Sequence, residues 1–295
     1  MVFGGDVRSL CSSRRVWRLV ESYNLLMSIR QYIPRRKVRQ TFSLREAFSL
    51  YFVFTIALFL QVSYPLLDGE TLRIVTLAIV YWSAGAMLLH ALYSYGLKFA
   101  LRFLAITWSY SFLVEQIGHR TGWPFGVYEY DASLAYQVFD IPLVVPFAWV
   151  MMSYPILIVA RRVAPRWVFL YGGLGLMIWD FFLDPQMVIA GRWTWTIDGA
   201  TVPFQPMIPI SNAFGWLLTG MGLMAILHSS LPRERMKRGL SSAIPDFFLV
   251  WTVFGGVIGN IFFFGYPAIG ISVGTLFSIY LAPYFIAQRL GRRDI

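Results

Sequence analysis

One cysteine and three histidines are all the thiol and imidazole groups in this chain of 295 residues. The single thiol, Cys11, excludes a disulfide framework and a thiolate metal cluster. His90, His119 and His228 are too few for the multi-histidine di-iron centres of membrane oxygenases. Charge is scarce as well. Asp, Glu, Lys and Arg make up 14% of the residues, against 57% hydrophobic and 18% aromatic, and the mean hydropathy is +0.60. A soluble protein of this length lacks the polar surface to cover such a composition, so lipid is the expected solvent. A cleavable signal peptide is not expected, because residues 1–47 are basic and hold no long apolar run.

What charge there is carries a pattern. The formal net charge of +10 comes from clusters: the N-terminal tail (Arg35, Arg36, Lys37 and others), Lys98 with Arg102, and Arg161, Arg162 and Arg166. Arg233, Arg235, Lys237 and Arg238 form the next cluster, and Arg289, Arg292 and Arg293 the last. Only Arg73, Arg120 and Arg192 fall on the alternate set of loops. Basic residues at every second loop follow the positive-inside rule, which is preferred here over nucleic-acid binding. Eight apolar spans are read, at 46–66, 73–95, 98–118, 142–161, 166–184, 209–230, 245–265 and 267–288. Each is near the roughly 20 residues needed to cross a bilayer. The expected fold is therefore all-α, a polytopic membrane helix bundle in the cell membrane with both termini cytoplasmic. Residues 1–45 read as a basic cytoplasmic tail with an amphipathic, lipid-surface helix around Arg14–Arg30, and 46–295 as the transmembrane catalytic domain.

Against this apolar background the acids stand out. Asp180 and Asp184 end the fifth span and Glu115 ends the third. A carboxylate deep in a bilayer costs about 2.5–3.5 kcal/mol on insertion scales, so such residues mark function by default. Asp180 and Asp184, at i,i+4, share one helical face, and Pro185 is expected to stop the helix directly behind them. Two carboxyls so close and so poorly solvated do not both ionise readily, which leaves a neutral acid as a proton donor. Glu115 and His119 repeat the i,i+4 spacing, and with the aspartates they are an alternative ligand set for a divalent cation. The reading without metal or cofactor is preferred.

Two loops on the same side, 119–141 and 185–208, are rich in Gly, Pro, Trp and Tyr. Aromatic rings at a membrane interface bury their bodies and keep a polar edge wet, so these loops are expected to pack. Tyr128, Tyr130, Trp193, Trp195, Asn212 and Trp216 are the candidate substrate-binding residues. Electron-rich ring faces beside a proton donor suit a reaction through a carbocation.

These stretches resemble the integral-membrane carotenoid hydratase family. The matching segments are Glu115-Gln-Ile-Gly-His-Arg-Thr-Gly-Trp-Pro-Phe-Gly-Val-Tyr-Glu-Tyr130, Ile141-Pro-Leu-Val-Val-Pro-Phe-Ala-Trp149, Trp179-Asp-Phe-Phe-Leu-Asp-Pro185, Gly191-Arg-Trp-Thr-Trp195 and Asn212-Ala-Phe-Gly-Trp216. They follow the family's order, and the resemblance covers about residues 48–288. The stretch Pro203-Phe-Gln-Pro-Met-Ile-Pro209 departs from the Tyr/Gly-containing approach expected before Asn212. The resemblance implies addition of water to a terminal isoprenoid double bond, giving a tertiary alcohol, without a cofactor. Asp180 or Asp184 would be the general acid, and the other, with Glu115, would orient water. The implied partners are a lipid-soluble polyene substrate and membrane lipid, with association among other carotenoid-pathway enzymes as a further expectation.

Two alternatives come from other classes. Asp-x-x-x-Asp is similar to the Mg²⁺-diphosphate motif of intramembrane prenyltransferases, though a second Asp-rich motif and a basic cluster on the site side are missing. Intramembrane acids also mark carriers and proton-coupled transporters, yet no inverted repeat or broken central helix is read.

Overall fold

The computed structural model describes residues 42–233 and 240–290. The expected amphipathic helix of the tail lies outside these residues. Among them, eight helices are long and apolar enough to cross a membrane. They are α1 (Leu44–Ser63), α2 (Gly69–Tyr95), α3 (Leu97–Thr121) and α4 (Val144–Val163), then α5 (Val168–Ile189), α6 (Ile210–Ser230), α7 (Ala243–Ile258) and α8 (Pro267–Leu290). The expected all-α bundle is what forms, with only short strands in its loops.

Local chemistry sets the helix ends. Ser43 caps α1 in a reciprocal box, its Oγ accepting from the Glu46 amide while Glu46 accepts from the Ser43 amide. At the end of α3, Gly122 takes the left-handed conformation (φ +73°) that closes a helix and turns the chain into the first long loop. A π-helical turn, Gly259–Phe263, extends α7 before the reversal at Gly265 into α8.

The bundle core centres on α4, which has more buried residues than any other helix described. Beside it, α5 and α6 pack backbone to backbone. A Cβ on Gly220 would meet the Gly173 Cα at 3.1 Å, and one on Gly173 would meet the Leu217 carbonyl at 2.9 Å. Small residues permit this approach where lipid supplies no hydrophobic drive between helices. The contact brings the first turn of α6 against the last turns of α5.

One expectation fails at this place. Pro185 does not stop α5, which continues to Ile189 with the proline inside it. Proline removes the N–H that would bond the carbonyl four residues back, at Phe181. That carbonyl instead accepts from Gln205 Nε2 at 3.0 Å, so the helix goes on without a bare polar group. Asp184 therefore lies in a continuous helix rather than at a frayed end.

The two long loops fold onto one another. Strand β1 (Tyr128–Tyr130) pairs antiparallel with β4 (Trp193–Trp195), with Tyr128 opposite Trp195 and Tyr130 opposite Trp193. Two small ribbons, β2–β3 (Gln137–Val138 with Ile141–Pro142) and β5–β6 (Thr201–Val202 with Gln205–Pro209), complete this end of the molecule. Arg192, buried at the turn before β4, donates to Ser133 Oγ at 3.1 Å and locks the loops together. Lys98, Arg102, Arg161, Arg162, Arg166, Arg233 and Arg289 all lie at the opposite end of the bundle.

Candidate active site

Asp180 and Asp184 stand one turn apart on the face of α5 that meets α6, and both are buried. Asn212, in the first turn of α6, reaches both. Its Nδ2 donates to Asp180 Oδ2 at 3.1 Å and to Asp184 Oδ2. Sharing that one amide group holds the two carboxyls close together. Asp180 Oδ1 is buried without a partner, a costly arrangement for a charged oxygen in a region of low dielectric.

Glu115, near the end of α3, is also buried and is the best-satisfied acid of the three. Its Oε2 accepts from the hydroxyls of Tyr128 and Tyr130, both at 2.8 Å, and its Oε1 from Trp149 Nε1 at 3.2 Å. The alternation of β1 explains the two phenols: Tyr128 and Tyr130 point inward while Glu129 between them is exposed. Burial, and next the Glu115 carboxylate, pushes both phenols well above the usual tyrosine value, so each remains a protonated donor.

These groups converge on a small, partly open cavity of about 70 Å³. Glu115 and Asp184 line it, with Tyr128, Tyr130, Trp193, Trp195, Asn212 and Trp216, so eight of the nine residues expected from the sequence meet at one cavity. The ninth, Asp180, is set behind Asp184 and joined to the wall through Asn212. The Trp193 and Trp195 indole N–H groups are buried and complete no hydrogen bond. The lining includes no lysine or arginine.

His119 departs from the alternative metal set. Its ring lies nearly parallel to that of Tyr130, with centroids 6.4 Å apart, and it does not line the cavity. Among the described residues no three His, Cys, Asp or Glu side chains are disposed to hold a metal ion. His90 is occupied elsewhere, bonded to the Tyr154 hydroxyl at 2.8 Å near the opposite end of the bundle.

Sequence reasoning missed two contributors. Trp149 donates to Glu115 and stacks on Trp216, with centroids 4.4 Å apart at 15°. Its signal was present: it ends the Ile141–Trp149 stretch on which part of the resemblance rests. Gln205, which supports the helix carrying Asp184, had no such signal, since it lies in the stretch that departs from the expected pattern.

The fold and site define a multi-pass membrane protein whose intramembrane acids meet in an aromatic-walled cavity near one face of the bundle. The model of the carotenoid biosynthesis protein family matches residues 74–281, a stretch that contains every site residue above, and the chain belongs to that family. Over 176 residues it is 29% identical to a bisanhydrobacterioruberin hydratase of Haloarcula japonica, a match covering 55% of this chain and 57% of that protein. The chain thus aligns with little more than half of that relative's length. No solved structure matches the chain.

Proposed function

We propose that the protein is a carotenoid hydratase, adding water across a terminal isoprenoid C=C bond of a membrane-dissolved polyene. The observation that carries this reading is the convergence of Asp184 and Glu115 on one apolar, ring-lined cavity. Two buried carboxyls one turn apart, drawn together by the single Asn212 amide, are suited to hold a proton between them. Asp184, on the cavity wall, delivers that proton to the less substituted alkene carbon. A C–H bond forms from the π electrons, and the more substituted carbon becomes a tertiary cation.

The ring faces of Tyr128, Trp193 and Trp195 stabilise the cation. Water is captured at Glu115. A carboxylate offers roughly four acceptor positions, and Tyr128, Tyr130 and Trp149 occupy three of them. The remaining position, on Oε1, orients a water molecule toward the cation and takes its proton as the C–O bond forms. That proton returns to the aspartate pair through the cavity, and the net change is the addition of one water. A carboxylic acid protonates alkenes poorly, so most of the rate must come from alignment and from fixed dipoles in a dry site.

The cavity lining disfavours the prenyltransferase alternative, because it includes no lysine or arginine to hold the diphosphate that such a reaction releases. By the positive-inside rule the basic end of the bundle faces the cytoplasm, which puts the cavity toward the outer face of the membrane. The test is expression in a polyene-producing host with mass spectrometry of the extracted pigments. The expected result is a product heavier by one water, lost in Asp184→Asn. Unchanged pigment masses with well-expressed wild-type protein would reject the reading.

A further inference from the structure

A second and larger apolar space, of about 420 Å³, runs alongside the first. It is bounded by α1, the Tyr64–Leu66 turn after it, α2, α5, α7 and the π-helical turn that follows α7, with Met151 of α4 at its base. Thr76, Val80, Leu183 and Met187 line both spaces and form the wall they share. No charged residue lines the larger one. Its rim includes Val62, Leu66 and Phe254, all exposed on the lipid-facing surface, so it opens sideways into the bilayer.

The volumes divide the labour. Sites that enclose a whole drug-sized ligand measure about 300–1,000 Å³. The cavity at the acids, at about 70 Å³, accepts only the end of a molecule, whereas the lateral cleft, at about 420 Å³, has room for a chain segment. Two adjacent glycines of α7 support the same division. A Cβ on Gly256 would strike the Phe182 ring at 2.8 Å, so close helix packing accounts for that glycine. A Cβ on Gly255 would meet nothing within 4 Å, although Gly255 lines the cleft. Glycine weakens a helix interior relative to alanine. What Gly255 contributes is width.

We propose that the lateral cleft seats the polyene chain of the substrate. The chain enters from the bilayer between the α1–α2 pair and α7, and presents one end past Thr76, Val80, Leu183 and Met187 to Asp184 and Glu115. The identity of the reacting end rests on the hydratase reading; the seat of the chain rests on the cleft alone. Since only one end reaches the acids at a time, a substrate reactive at both ends must leave and re-enter.

The test is pigment retention. Wild-type protein, Asp184→Asn, Gly255→Phe and Thr252→Phe are purified in mild detergent from a polyene-producing host, and bound polyene is read from its visible absorption per protein. Thr252→Phe is the second cleft-filling variant, since the Thr252 hydroxyl bonds only the Phe248 carbonyl of its own helix. Wild type and Asp184→Asn are expected to retain pigment, and the two filled variants to lose about tenfold or more while eluting as the same monodisperse species. Retention equal to wild type in both filled variants overturns the proposal, as does wild-type protein carrying phospholipid and no polyene. Hydrated product from Asp184→Asn would reject the catalytic reading and leave the pigment comparison standing.

Discussion

Gln205 supplies from its side chain the donor that the backbone of α5 loses at Pro185, its Nε2 lying 3.0 Å from the Phe181 carbonyl. The bond links the β5–β6 ribbon to the helix that holds Asp180 and Asp184. Removing it leaves a buried carbonyl unpaired, which costs about 1–3 kcal/mol. Gln205→Leu is therefore expected to lower the melting temperature of the detergent-solubilised protein. Product yield should fall further than stability alone explains, because Asp184 lies one residue before the proline that the bond tolerates. A Gln205→Leu protein with wild-type melting and yield would show that α5 needs no such support.

The proposed reaction gives the two aspartates separable roles. Asp184→Asn removes the proton at the cavity wall and is expected to reduce hydration by about 10²–10⁴-fold, the range for loss of a general acid. Asp180→Asn retains Asp184 and its Asn212 contact but deletes the carboxyl behind it. Its expected signature is a changed pH profile together with a lower rate, read from pigment conversion in vesicles buffered across the acid range. Both variants should reach the membrane in normal amounts. A pH profile for Asp180→Asn identical to wild type would assign that residue to packing.

The paired phenols give a prediction at the alkaline end. Burial and the Glu115 carboxylate raise both Tyr128 and Tyr130 above the ordinary value of about 10. Below about pH 10 the phenols are protonated in folded and unfolded chains alike, so they add no slope to stability. Above it, the unfolded chain releases phenolic protons that the folded protein keeps, and unfolding becomes easier as pH rises. Melting temperatures between pH 8 and 11 should therefore fall more steeply for wild type than for Tyr130→Phe. Equal slopes would mean that Tyr130 meets solvent.

How much of this was legible depends on which interactions are local. The eight spans and the exceptional acids could be read because composition and i,i+4 spacing survive without tertiary information. The bearing of Tyr128 and Tyr130 on Glu115 followed only once β1 paired with β4, a contact between loops some 65 residues apart in the chain. The continuation of α5 past Pro185 has no local signal, because the partner that compensates the proline, Gln205, is remote in sequence. The lateral cleft had no sequence signal at all. Its walls come from α1, α2, α4, α5 and α7, and a glycine such as Gly255 looks the same whether it is crowded or open.

Trp149 offers the sharpest separation of structure from chemistry. Its ring stacks on Trp216 and its Nε1 donates to Glu115 Oε1, the oxygen that also has the free acceptor position. Trp149→Phe preserves most of the stack and removes the donor, so Oε1 can turn away from the water it should orient. The expected outcome is near-normal folding with hydration reduced about 10–100-fold, since a single hydrogen bond to a charged group contributes about 1.5–3 kcal/mol. Trp149→Leu loses ring and donor together and is expected to lower the melting temperature as well, by leaving a cavity beside Trp216. Comparing conversion with melting for the two variants checks the assignment. If Trp149→Phe hydrates at the wild-type rate, Glu115 does not hold the attacking water through Oε1, and its three donors serve the fold alone.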